Sequence, residues 1–132
     1  MMRRGMLRAS RLGLVAAFLA VVLSACSIDS RAEALYFFQH RVLAALTSTI
    51  TAIEPDHPDL ADRLYDKEDE LYSACWALWE AGERRIKGRE IEDELRWQVF
   101  VILDSCAEKA SEIEALVWRV DPGTAEIHLD GP

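Results

Sequence analysis

Histidine is scarce in this sequence, and the residue patterns that usually mark an enzyme are missing. The three histidines, His40, His57 and His128, are far apart, and none has a second histidine or a cysteine at metal-site spacing. There is no serine-centred elbow, no glycine-rich phosphate loop and no HExxH-type zinc motif. With 23 acidic residues many carboxylate pairs arise by chance, so a pair beside a cleft stays an open alternative. We expect no catalytic site, no metal site and no cofactor.

The first 25 residues contain no acidic residue and differ from the rest of the chain. Their basic residues come first, and residues 12–23 then contain no polar side chain. A basic start followed by a short apolar run is typical of an export signal, whereas a membrane-spanning helix needs about 20 apolar residues. The alternative is a short anchor that remains uncleaved.

The apolar run ends in Leu23-Ser24-Ala25-Cys26. These residues resemble the lipobox of bacterial lipoproteins, in which a branched apolar residue and two small residues precede an acylated cysteine. The resemblance covers only the export segment and its cleavage site. It implies a cleaved signal peptide of residues 1–25, a thioether-linked diacylglyceryl group on Cys26, and a further acyl chain, such as palmitate, on the new amino terminus. In Gram-negative members of the family, a serine such as Ser27 after the cysteine implies transfer to the outer membrane.

Cleavage makes the remaining chain strongly acidic. It removes four basic residues and leaves 11 basic against 23 acidic residues, a net charge of −12. Nucleic-acid-binding proteins carry basic patches, so we expect no nucleic-acid partner. Anionic headgroups should repel so acidic a domain, so the lipid anchor is expected to hold it at the membrane. The resemblance to lipoproteins implies a location in the cell envelope, on the periplasmic face of the outer membrane.

Apolar residues repeat at spacings of three and four in three segments of the chain. This periodicity predicts three helices, at residues 31–53, 59–87 and 90–119. Pro58 suits the first position of the second helix, and Gly88 suits its end. Short connections make consecutive helices antiparallel neighbours, so we predict an all-α, antiparallel up-down-up three-helix bundle. The alternative is a long helical hairpin with the first helix detached.

The predicted bundle domain, residues 31–121, lies between two short segments. Residues 26–30 form a lipidated tether, which keeps the domain close to the bilayer. In the tail, residues 122–132, apolar residues alternate with polar ones as in a β-strand, around Ile127. The sequence offers no second strand to pair with, so we expect an irregular tail.

Two cysteines remain besides Cys26, and we predict that they form a disulfide. Cys75 and Cys106 both continue the apolar spacing of their helices, and the midpoint of their numbers falls close to the turn predicted at residues 88–90. Facing residues of an antiparallel helix pair lie at equal distances from the turn, so these cysteines should be opposite each other. An oxidising compartment favours the bond, and two buried free thiols are the alternative.

An acidic segment follows the first predicted helix. Residues 54–70 hold eight acidic and two basic residues, so half of the net charge of −12 falls in this segment. Four aspartates, spaced three, four and three residues apart, form one line along the second helix: Asp59, Asp62, Asp66 and Asp69. Trp76 continues this line. One interpretation is a solvated face. The other is a docking strip for a basic protein partner, with Trp76 as its apolar anchor.

Two further expectations concern this line. A calcium site is disfavoured, because carboxylates on a helix lack the loop carbonyls that usually complete the metal shell. Trp76, Trp97 and Trp118 all lie beside an apolar stripe rather than on it, which predicts positions at the rim of the core, where a large ring still covers apolar side chains.

Three functions agree with these observations. The first is a lipid-anchored, non-enzymatic interaction protein: an adaptor, an envelope-assembly accessory, or an inhibitor or immunity-type binder. The second is a structural spacer without a specific partner, and the third is a carrier of a small ligand or cation. A surface that joins Trp76 to the acidic line favours the first, an evenly polar surface the second, and a lined cavity the third.

Overall fold

The computed structural model describes residues 30–121, together with Val15 and the pair 126–127. Within these residues the chain is helical apart from its turns and one pair of two-residue strands. The prediction of an all-α three-helix fold is confirmed. The helices are α1, residues 30–53; α2, Pro58–Ile86; and α3, Asp93–Arg119.

Several of the sequence-based predictions lie outside the described residues. These are the signal peptide of residues 1–25, the acylated Cys26, the tether before residue 30 and nearly all of the tail after residue 121. In the part of the chain that is described, no helix has both the length and the apolar character that crossing a bilayer requires.

The ends of α2 follow local signals in the sequence. Pro58 occupies the start of the helix, where its missing N–H donor costs nothing. At the other end Gly88 adopts a φ of 67°, a left-handed conformation that a residue without a Cβ reaches easily. The N–H of Gly88 donates to the carbonyl of Arg85 at 3.2 Å, and that of Arg89 donates to Arg84 at 2.8 Å. This Schellman-type closure confirms the predicted end of α2 at Gly88.

The prediction for the start of α3 is wrong by three residues. The periodicity predicts a start at residue 90, but residues 89–92 are not helical, and Glu92 is the extended N-cap. The closure at Gly88 turns the chain, and four more residues carry it across to the next helix. Asp93 and Glu94 then lie in the first turn of α3, where the helix dipole favours negative charge.

All three helices share one apolar core. Full burial of a leucine or isoleucine side chain stabilises the fold by about 1.5–3 kcal/mol. The predicted stripes supply most of the core, but Ile86 is 75% exposed, because α2 ends there, and the polar Gln39 is fully buried. The largest fully buried apolar side chains are Leu46, Ile50, Ile53, Leu64, Leu71 and Ile113.

The predicted disulfide between Cys75 and Cys106 joins α2 to α3. Their Cα atoms lie 4.9 Å apart, within the usual range for a disulfide, and both residues are fully buried. The two cysteines are therefore opposite each other across the helix pair, as the position of the turn at Gly88 predicts.

Ion pairs on either side of the disulfide show the direction of the two helices. Lys109 of α3 lies 3.2 Å from Glu70 of α2, and Arg84 of α2 lies 3.3 Å from Glu92, just before α3. Rising residue numbers on α2 thus meet falling numbers on α3. The two helices therefore run in opposite directions, which the short connection between them requires.

The first helix packs closely against α2 at Gly82. A Cβ atom at this position would overlap the aromatic ring of Tyr36 on α1, so the position of this ring against α2 depends on the glycine. One turn further along α1, the rings of His40 and Trp79 meet edge to face, with centroids 4.2 Å apart. The alternative of a hairpin with α1 detached is therefore wrong.

A short strand pair follows α3. Val120–Asp121 pairs antiparallel with Glu126–Ile127, and Val120 is opposite Ile127. The sequence predicts no strand partner for Ile127, and that prediction is wrong, because the chain leaves α3 in an extended conformation that can pair with the returning segment. Val120 is buried, so this pairing lies against the end of the bundle.

Candidate partner-binding surface

The four aspartates of the predicted line are all exposed on α2: Asp59, Asp62, Asp66 and Asp69. The residues of α2 that face the core, among them Leu60, Leu64 and Leu71, interleave with them in sequence. On a helix, this interleaving places the aspartates on the side that points away from the core. The apolar stripe of α2 thus determines which way the acidic line faces.

These aspartates have no counter-ion within the described part of the chain. None of them has a basic side-chain nitrogen within 4.0 Å among the described residues. Lys67 lies 3.1 Å from Glu70 instead. Arg41 lies 3.8 Å from Glu114, and Arg119 donates to a backbone carbonyl of its own helix at 3.2 Å. Lys67, Arg41 and Arg119 therefore contact other groups, while the exposed Arg63 forms no ion pair with a described acidic residue.

Trp76 is on the same exposed side of α2, two turns after Asp69, with exposed Ser73 between them. Its side chain is 48% exposed, and Trp97 and Trp118 are 60% and 70% exposed. The predicted rim positions are therefore wrong. The physical reason is that the bundle is slim. The buried neighbours of Trp76 are the small residues Cys75 and Ala77, so the core ends close to the α2 backbone.

Two tyrosines extend the apolar edge beside the acidic line. Tyr65 and Tyr72 are 43% and 42% exposed, and Tyr72 precedes Trp76 by one helical turn. Tyr72 also packs against the half-buried Trp79, with ring centroids 5.3 Å apart. The nearby Glu54 carboxylate raises the pKa of the Tyr65 phenol above its ordinary value, because negative charge disfavours the phenolate. The exposed side of α2 thus combines carboxylates with neutral aromatic rings.

The opposite flank of α2 has a different electrostatic character. Glu70 accepts hydrogen bonds from Lys67 and Lys109, which lower the pKa of its carboxyl group. Hydrogen bonds to Glu112 and Glu70 raise the pKa of the Lys109 ammonium. Charges on this flank compensate one another across the boundary with α3. The aspartate line, by contrast, is exposed and forms no ion pair within the part of the chain that the structure describes.

Other candidate chemistry finds little support in the described residues. They contain no group of three or more histidine, cysteine or acidic side chains placed to hold a metal ion. Burial lowers the pKa of His40, and its Nε2 atom and the indole nitrogen of Trp79 have no hydrogen-bond partner in this part of the structure. Among the concave surfaces of these residues, an open groove lies beside His40 on α1, and a second groove lies between α1 and α3.

Comparison with known protein families, with curated proteins and with solved structures finds no match for this chain.

Proposed function

We propose that this protein is a lipid-anchored, non-enzymatic interaction protein of the cell envelope that binds a basic protein partner through α2. The observation that carries the proposal is the exposed side of α2, where four aspartates that form no ion pair with any described residue adjoin the exposed Trp76. The lipobox-like Leu23-Ser24-Ala25-Cys26 supports the anchor and the location. The oxidised Cys75–Cys106 pair agrees with a compartment outside the cytoplasm.

Charge and aromatic area have different roles in such an interface. Exposed carboxylates mainly accelerate encounter with a basic partner, and salt screens this effect beyond about 8 Å at physiological ionic strength. A tryptophan that becomes desolvated in the complex mainly slows dissociation. We therefore expect the aspartates to control the association rate and its salt dependence, and Trp76 to control the lifetime of the complex.

The test is capture of partners from membranes by the acylated protein. The charge-reversed variant Asp62→Lys/Asp66→Lys should capture the partner more slowly than the wild type, and the difference should shrink as salt is added. Its matched control is Glu90→Lys/Glu108→Lys, which changes the net charge by the same amount at exposed positions off the line. This control should capture at close to the wild-type rate.

Trp76→Ala tests the apolar anchor. Loss of a hot-spot tryptophan costs about 2 kcal/mol or more, so the complex should dissociate roughly 30-fold faster. Trp118→Ala is the matched control, because Trp118 is also exposed but lies on α3. If both α2 variants retain the partner like the wild type at every salt concentration, the line is only a solvated face, and a spacer function becomes the better explanation.

A further inference from the structure

A second exposed apolar surface lies on the first half of α3. It consists of Trp97, Phe100 and Val101, which are 60%, 48% and 59% exposed, and we call it the tether-end patch. The rings of Trp97 and Phe100 pack against each other with centroids 5.5 Å apart. Val101 follows Trp97 by one helical turn, on the same side of α3. The three side chains therefore form one contiguous apolar surface, which the interaction through α2 does not use.

The tether-end patch lies beside the beginning of α1. Arg31, in the first described turn of α1, forms an ion pair with Asp104 of α3. Ten residues later on both helices, Arg41 faces Glu114, so α1 and α3 run in the same direction. The patch precedes Asp104 by three to seven residues, or about 5–10 Å along the axis of α3. It therefore extends from this ion pair toward the end of the bundle where the preceding chain enters.

The proposed lipid attachment point is within reach of the same end. Cys26 precedes residue 30 by four residues, which span at most about 14 Å when fully extended. Acyl chains on Cys26 would therefore hold this end of the bundle at the bilayer. The neighbouring residue Arg85 lies 3.9 Å from Glu33 in the first turns of α1, which places Ile86 at this end of the bundle as well. Ile86 is also exposed.

The distribution of charge favours a lipid surface here. Residues 84–96, which surround the connection between α2 and α3, hold five basic and four acidic residues. Residues 54–70, which begin at the opposite end of the bundle, hold eight acidic and two basic residues. The charge that anionic headgroups would repel is thus concentrated far from the tether-end patch, and tryptophan rings suit the boundary between headgroups and acyl chains.

We propose that the tether-end patch rests on the lipid surface to which Cys26 is attached, so that the bundle stands end-on and presents its acidic end away from the membrane. This inference rests on the proposed acylation of Cys26 but not on the proposed partner. Trp97 and Phe100 insert at the headgroup boundary, while Arg89 and Arg96 lie near the lipid phosphates.

The test uses the full acylated protein, purified from membranes and inserted into vesicles of phosphatidylethanolamine and phosphatidylglycerol. Part of the lipid carries bromine on its acyl chains, which quenches tryptophan fluorescence on contact. We expect the wild type to be quenched and Trp97→Phe to lose most of that quenching. Trp118→Phe is the matched control and should retain it, because Trp118 lies in the last turn of α3. Val101→Asp should also reduce the quenching while the protein stays on the vesicles.

Flotation and mass spectrometry of the same preparation separate the possible failures. If the protein is acylated and floats with the vesicles but bromine quenches neither Trp97 nor Trp118, the patch does not touch lipid and the inference is wrong, although the anchor stands. Equal losses of quenching in Trp97→Phe and Trp118→Phe also overturn the inference. If the wild type self-associates and is not quenched, and Val101→Asp abolishes the self-association, the patch binds a second copy of the chain instead of lipid. A chain without acyl groups refutes the anchor itself, and the lipid seating with it.

Discussion

Removal of the Cys75–Cys106 disulfide should destabilise the bundle strongly. The two cysteines are 31 residues apart, and closing a loop of this length in the unfolded chain corresponds to about 3–4 kcal/mol in the chain-entropy account of disulfides. Domains are stable by only about 5–15 kcal/mol, so this is a large share of the total. The perturbation is the double substitution Cys75→Ala/Cys106→Ala, which also avoids new free thiols.

Urea unfolding followed by far-ultraviolet circular dichroism measures the effect. We expect the midpoint to fall and the free energy of unfolding to decrease by about 3–4 kcal/mol relative to the oxidised wild type. The wild type in excess reductant is the matched control and should approach the double variant. A decrease in the free energy of unfolding of less than about 1 kcal/mol, with an unchanged dependence on urea, would refute the reasoning. The disulfide would then restrict the entropy of the unfolded chain only slightly.

Two further predictions concern the helix interfaces. Gly82→Ala should lower the free energy of unfolding by about 1–3 kcal/mol in urea titrations, because the new methyl group overlaps the ring of Tyr36, and additional Tyr36→Ala should make the glycine substitution less harmful. Equal effects of Gly82→Ala in both backgrounds would contradict the overlap. Glu70→Gln should lower stability above the ordinary carboxyl pKa but not in acid, because the folded-state pKa of Glu70 is lowered and its stabilisation disappears as the pH falls through that value. The free energies of unfolding of the variant and the wild type, measured across pH, should therefore converge in acid. A difference that stays constant with pH would contradict the lowered pKa of Glu70.

The helices of this protein could be predicted where local chemistry marks their ends. Pro58 and Gly88 place α2 within one residue of its observed bounds, because each acts through its own backbone geometry. The acidic run before α3 is less informative. Negative charge is compatible with both the connection and the first turn of a helix, so charge alone could not distinguish residue 90 from Asp93 as the start.

Periodicity predicts the direction of a side chain but not the thickness of the core around it. Periodicity therefore could not show that Trp97 and Trp118 are exposed to solvent and do not lie at the rim of the core. For the same reason, periodicity does not predict the burial of Gln39. A polar residue between apolar positions counts as outward-facing in the sequence, yet this one is completely buried.

The candidate surfaces differ in how far the sequence reveals them. The spacing of the aspartates fixes their common side of α2, so the acidic line could be predicted. Their lack of counter-ions could not, because it depends on where distant groups such as Arg41 and Lys109 find their partners. The tether-end patch cannot be predicted from the sequence for a similar reason. Its exposure depends on where α1 begins relative to α3, which no local pattern specifies.

The acylation of Cys26 underlies both proposals, and mass spectrometry of the mature amino terminus tests it most directly. Protein purified from membranes should begin at Cys26 and carry a thioether-linked diacylglyceryl group together with an amide-linked acyl chain. Cys26→Ser should instead accumulate as the uncleaved precursor. An unmodified chain that starts at any other residue, or a Cys26→Ser variant that is processed like the wild type, would contradict the account.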